Sequence, residues 1–228
     1  MQGKDLLQLA EQFGTPLYVY DAEKIQSQFN RLTKAFSKVE KLRINYAMKA
    51  LSNISILQLL KDMGSGLDTV SIQEVLLGLH AGYAPEKIFY TPNGVSLEEI
   101  EEVNALGVQI NIDNLSILEQ FGTKHPNVPV CIRINPHVMA GGNTNISVGH
   151  IDSKFGISIH QLPHLVRIVE NTKMNIVGIH MHTGSDILDI EVFLYAAEIL
   201  FILVRNFKIL EFLILGGGLK VPFKKEKL

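Results

Sequence analysis

One pattern constrains this chain more than any other. A short run rich in β-branched and aromatic residues is followed by apolar residues at helical spacing, and the pair recurs along the sequence. KLRINYAMK, GLDTV, KIFYTP, VQINID, VPVCIRIN, NIVGIHMH and LEFLIL read as seven strands. Between them the spacing predicts helices: Ile56, Leu57, Leu60 and Met63; Ile72 to His80; a helix ending near Gly107; Leu115 to Phe121; Leu162 to Val169; and Ile190 to Phe207. Ser52 or Asn53 can cap the first of these, with Gly64 at its stop, and Ser96 with Glu99 reads as a capping box. Ahead of the series, TPLYVYD (Thr15 to Asp21) reads as a further strand, and Ile25, Phe29, Leu32 and Phe36 follow it at helical spacing.

Strands separated by helices pair in parallel through right-handed crossovers. Seven such units suit a (β/α)8 barrel or a doubly wound open sheet. No Gly-x-Gly-x-x-Gly follows the first strand, which weakens the dinucleotide-binding open sheet. A barrel needs eight strands; the eighth is either TPLYVYD or absent. With 228 residues and 46% hydrophobic composition, the chain can bury about 70% of its unfolded surface, so disorder is excluded.

Charge narrows the partners. Twenty-one Lys+Arg against 23 Asp+Glu, a net charge of -2, exerts no general pull on nucleic acid or anionic lipid. The longest apolar stretch, Phe193 to Val204, is interrupted by Glu198 and is shorter than the ~20 residues of a bilayer span. The amphipathic, acid-bearing start (MQGKDLLQLAEQFG) is unlike a secretory signal. The single cysteine, Cys131, lies in an apolar run and reads as a buried thiol in a reducing compartment. A cytoplasmic protein acting on a small molecule is the expectation.

In a parallel barrel, reactive groups sit where strands end. Those positions are Lys49, Asp68, Asn93-Gly94, Asp113-Asn114, Arg133, His180 with His182, and Gly216-Gly217-Gly218. Lys49, if buried at the barrel mouth, would have a lowered pKa and an amine free to attack an aldehyde; left in solvent it is an ordinary surface lysine. His180 and His182, two apart in a strand, face one side. They could bind a metal with Asp68 or Asp186, lie against a cofactor ring, or be packed core histidines. The glycine run leaves backbone N–H groups open to a phosphate, and Gly184-Ser185 after the preceding strand strengthens that reading. Pyridoxal 5′-phosphate is one ligand consistent with all three features.

Five segments carry a resemblance: YAMKA (Tyr46 to Ala50), Ser71 to Glu74 after LDTV, SKFGI (Ser153 to Ile157), HMHTGSD (His180 to Asp186) and LGGGLKVP. Together they resemble the diaminopimelate decarboxylases of the fold-type III, alanine-racemase-like group of pyridoxal-phosphate enzymes. The resemblance covers nearly the whole chain, in the family's order. It implies that Lys49 forms the Schiff base with the cofactor, that His182 stacks on its ring, and that Ser185 and the backbone of Gly216, Gly217 and Gly218 hold its phosphate. Asp68 and Arg133 match positions lining the cofactor pocket. The implied reaction removes CO2 from the D-configured centre of meso-diaminopimelate to give L-lysine, in a homodimer.

Members of that group continue into an eighth barrel strand, with an acid that pairs with the ring nitrogen, and then a β-domain. The resemblance therefore implies an incomplete barrel of about seven of eight strands over 22–228. It implies also an N-terminal segment, 1–21, whose strand belongs to the absent β-domain. Unpaired outer edges on the first and last barrel strands imply marginal stability or self-association. Related decarboxylases acting on carboxynorspermidine or arginine, an inert pyridoxal-binding fragment, and a metal-dependent hydrolase remain alternatives.

Overall fold

The computed structural model describes residues 5–138, 154–185, 187, 189–207 and 209–221. Helices α1 (Leu6–Phe13) and α2 (Ala22–Ala35) precede the first strand. The repeating unit then begins: β1 (Asn45–Ala47), α3 (Ile54–Asp62), β2 (Gly66–Thr69), α4 (Ile72–His80), β3 (Ile88–Tyr90), α5 (Leu97–Ala105), β4 (Gln109–Ile112), α6 (Leu115–Lys124) and β5 (Pro129–Asn135). It ends with β6 (Ile157–Ser158), α7 (Leu162–Thr172), β7 (Asn175–Met181), α8 (Ile190–Leu203) and β8 (Phe212–Leu215).

Every strand pair is parallel, in the order β1-β2-β3-β4-β5-β7-β8, and the two-residue β6 pairs with the end of β5. The sheet is strongly curled. Phe89 on β3 and Phe212 on β8 meet edge to face with centroids 5.3 Å apart, although three strands lie between them in the sheet. That contact is possible only if both rings point into a common interior. Gly178 on β7 makes room for it, because a Cβ there would stand 2.8 Å or less from the Phe212 ring. Among the described residues β1 and β8 are not paired with each other, so the architecture is an incomplete TIM-type barrel.

Strand alternation divides the side chains between the interior and the helices. Leu67, Ile88, Ile110, Ile132 and Ile179 pack with Val75, Val103, Leu118, Phe121, Leu165 and Leu200 of the helices in one continuous core. Each fully buried aliphatic side chain of this kind contributes about 1.5–3 kcal/mol. Local chemistry sets the helix starts: the side chains of Asn53, Ser71, Ser96 and Asn114 each accept a backbone N–H from the first turn they precede. Only half of the expected Ser96–Glu99 box forms. The Glu99 carboxylate accepts instead from Tyr90 Oη at 2.5 Å and the Ile72 N–H at 3.3 Å, tying α5 to β3 and α4.

Three further expectations are corrected. TPLYVYD is not a strand: residues 17–20 form no regular element and hydrogen-bond to no described strand, and Tyr18 is 85% exposed. Its apolar, β-branched composition suits a sheet, but without a neighbour its backbone cannot form a ladder. KLRINYAMK gives only the three-residue β1, and a 3₁₀ turn at Met48–Ala50 carries Lys49. The helix predicted to reach Phe207 ends at Leu203 and tightens into a 3₁₀ turn over Val204–Asn206. Leu194, Tyr195, Phe201 and Ile202 on α8 and Leu215 on β8 are exposed on the last unit. No helix among the described residues is long and apolar enough to cross a membrane.

Candidate active site

The carboxyl ends of the strands bring together most of the polar residues that the sequence places there. Asp68 lies on β2, Arg133 on β5 and His180 on β7; Lys49 and His182 follow β1 and β7 directly. Arg133 and His180 are register partners on neighbouring strands. The charges of Lys49 and Arg133 act on Asp68, on His180 and on His182, so the five groups lie within electrostatic reach of one another at the carboxyl ends of the strands. Lys49 itself is exposed, so the burial that the sequence reading required for it is not met. The open 3₁₀ turn after β1 leaves its stem uncovered.

Two residues absent from the strand-end inventory complete the arrangement. Thr91, just beyond β3, donates to Asp68 Oδ1 at 2.6 Å. Asn111 on β4 uses Nδ2 to reach both Thr91 Oγ1, at 3.5 Å, and His180 Nδ1, at 2.6 Å. A buried asparagine inside the apolar run VQINID was the sequence signal that could have found it, since such a side chain needs partners. At the rim, Asn93 Nδ2 donates to Asp113 Oδ2 at 2.6 Å and to the Lys154 carbonyl at 3.1 Å. Asn114 is occupied otherwise, as the cap of α6.

Burial dominates the electrostatics. It pushes the Asp68 carboxyl above its ordinary range, against the opposing pull of the Thr91 hydrogen bond, Lys49 and Arg133. It depresses His182 to about 4, with Arg133 and Lys49 adding repulsion, and His180 well below the usual imidazole range for the same reasons. Both imidazoles are therefore neutral at pH 7. Arg133 is 6% exposed, its guanidinium feels the charges of Asp113 and Asp68, and it lies 4.9 Å from the Phe155 ring centroid. The next residue, Gly156, has φ of +79°, and a Cβ there would stand 2.9 Å from the Asn135 amide nitrogen. Cys131, two residues before Arg133, is fully buried and its thiol is pushed far up, as expected of an inert side chain.

The loops after β7 and β8 are packed on each other. The Gly216 N–H donates to the Met181 carbonyl at 2.7 Å, and the Ile187 N–H to the Gly218 carbonyl at 2.9 Å. A Cβ on Gly218 would overlap the Gly184 carbonyl oxygen, and one on Gly216 would stand 2.7 Å from His182 Cβ and 2.8 Å from its Cγ. Gly217 faces open space, and Ser185, whose Cα would stand 3.4 Å from a Cβ on Gly218, is exposed. The Thr183 hydroxyl, between His182 and Gly184, is buried with no hydrogen-bond partner. Among the described residues no three metal-ligating side chains cluster; Asp186 and Ser153 lie outside them.

Comparison with known proteins gives the family. The pyridoxal-dependent decarboxylase family, in its pyridoxal binding domain, matches residues 22–228. A diaminopimelate decarboxylase from Methanothermobacter thermautotrophicus is 36% identical over 232 residues, covering 99% of this chain and 54% of that relative. One from Campylobacter jejuni is 36% identical over 98% of this chain and 58% of its own. The crystal structure of diaminopimelate decarboxylase from Helicobacter pylori complexed with L-lysine superposes with a TM-score of 0.86 at 33% identity, covering 97% of this chain and 59% of that one. The chain thus spans a little over half the length of these relatives. By the match of its barrel, it belongs to the pyridoxal-dependent decarboxylases.

Proposed function

We propose that this chain carries the cofactor site of a diaminopimelate decarboxylase, which releases CO2 from meso-2,6-diaminopimelate and leaves L-lysine. The observation that carries the reading is the convergence of one exposed amine, Lys49, with two neutral imidazoles, a buried guanidinium and a glycine cradle at one barrel mouth. The residues present fit pyridoxal phosphate. Gly217 and Ser185 border open space, and the unpartnered Thr183 hydroxyl lies in the same loop. Bound there, pyridoxal phosphate supplies an electron sink for the pair left behind when a carboxylate departs as CO2.

The chain's own residues have distinct tasks. Lys49 supplies the amine that anchors the aldehyde carbon. His182, neutral and wedged against Gly216, presents a flat face without adding charge to a mouth that already holds two cations. Ser185 and the backbone of Gly216, Gly217 and Gly218 offer donors to the phosphate. Arg133 and Asp68 balance charge beside the ring. A cytoplasmic homodimer is part of the same reading, and so is the assignment of 1–21 to a separate unit from the barrel of 22–228.

The test is direct. The protein is mixed with pyridoxal phosphate, reduced with borohydride, and the modified lysine is mapped; CO2 release from meso-diaminopimelate is measured alongside. Label at Lys49 with CO2 release supports the reading. Label at Lys49 without CO2 restricts this chain to cofactor binding, and label elsewhere overturns the assignment.

A further inference from the structure

We propose that Asn111 and Thr91 are positioning residues that hold His180 as the tautomer protonated on Nε2, so that its imidazole offers the pyridoxal pocket an N–H donor. The pocket half of this inference rests on the reading above; the tautomer half does not.

The argument is one of donors and acceptors. Asp68 Oδ1 accepts from the Thr91 hydroxyl 2.6 Å away, whether the carboxyl is ionised or carries its proton on Oδ2, so the Thr91 hydrogen points at Oδ1. The remaining Thr91 lone pairs can then only accept, and the Asn111 atom facing them at 3.5 Å must be the amide nitrogen. That same nitrogen stands 2.6 Å from His180 Nδ1. Two N–H groups cannot face each other at that distance, so Nδ1 carries a lone pair and the ring proton sits on Nε2. Flipping the amide would leave the Thr91 oxygen facing an oxygen. The orientation leaves Asn111 Oδ1 buried with no hydrogen-bond partner, a cost that the two N–H bonds must offset.

The surroundings point the same way. Strands β2, β4 and β7 and the residue after β3 contribute to the chain, and every member except Asp68 is buried. Burial keeps the ring uncharged, and the positive charges of Arg133 and Lys49 act in the same direction. Asp68 reaches it only through Thr91 and Asn111. Nε2 makes no hydrogen bond to any described residue, which leaves it as the donor that the site can use.

Nitrogen-15 spectra of the imidazoles, recorded near pH 7.5 without cofactor and then with pyridoxal phosphate, test this. In the unsubstituted protein His180 is expected to be protonated on Nε2 alone and not to titrate between about pH 6 and about pH 8. In Asn111→Asp, a carboxylate replaces the amide donor, so a proton should appear on Nδ1 and the ring should begin to titrate in that range. Thr91→Val frees the Asn111 amide to flip and should give a mixture of tautomers. A proton on Nδ1 in the unsubstituted protein, or an unchanged tautomer in Asn111→Asp, overturns the proposal. If the tautomer is as expected and Lys49 takes the label, but pyridoxal phosphate leaves the Nε2 resonance unmoved, the pocket half fails alone. Failure of the label itself strikes only the cofactor reading.

Discussion

The triple glycine after β8 offers a graded experiment, because three adjacent residues of one type face three different surroundings. At Gly218, φ is +104° and a Cβ would overlap the Gly184 carbonyl oxygen and approach its carbon to 3.0 Å. Neither obstacle can rotate away. A left-handed backbone on a residue with a side chain costs about 1–3 kcal/mol, and forcing extra volume against packed atoms adds about 1–3 kcal/mol. Gly218→Ala should therefore destabilise by about 4 kcal/mol. At Gly216 the obstacle is the His182 side chain, 2.7 Å at Cβ and 2.8 Å at Cγ, which can swing at the expense of its place. Overpacking of that kind is worth about 2 kcal/mol. Gly217 has nothing within 4 Å, so its alanine variant should stay within about 0.5 kcal/mol. Calorimetry of the cofactor-free protein reads these as drops of roughly 8–16 °C, roughly 4–8 °C and less than about 2 °C, at about 2–4 °C per kcal/mol for this length. Cofactor affinity should fall in Gly216→Ala through the displaced His182. Equal melting points for the three variants, or Gly217→Ala as the worst, would refute the packing argument.

Other outcomes follow from the same site. Lys49→Ala should abolish borohydride labelling at that position while leaving the melting point nearly unchanged, since the residue is exposed; His182→Ala should weaken cofactor binding without abolishing it, measured by absorbance titration. His182 titrates at about 4 when folded and near 6.5 when unfolded, so the unfolded chain binds the extra proton between those values. The stability it contributes, roughly 2 kcal/mol after allowance for partial exposure, is complete above about pH 6.5 and lost as pH falls toward 4. Urea denaturation at several pH values reads it, and a His182→Asn profile as steep as the unsubstituted one would contradict it. Iodoacetamide should modify Cys131 only after denaturant is added. With the α8 face and the rim of β8 exposed, size-exclusion chromatography should show self-association, and a sharp monomer peak would count against that.

The placement of much of the candidate site was legible from strand ends. Asp68, Arg133, His180 and His182 sit where the run of β segments put them, because parallel strands deliver their carboxyl ends to one face whatever the sequence between them. Thr91 and Asn111 were missed for a physical reason. Their importance lies in contacts to other strands at separations of 23 and 69 residues, which no local pattern encodes. The role of Phe155 against Arg133 escaped for the same reason. TPLYVYD failed in the opposite direction: its composition favours a strand, but a ladder needs a partner, and partners are a tertiary property.

The sequence alone determined the alternation of strand and helix, the caps at Asn53 and Ser96, and the motifs that resemble a family, since these depend on short spacings along the chain. Tertiary structure decided the curl that lets Phe89 meet Phe212 and the hydrogen-bond chain that orients His180. It also decided which of three adjacent glycines could bear a side chain. Those outcomes depend on which atoms arrive together in space, and only the closing of the sheet brings them there.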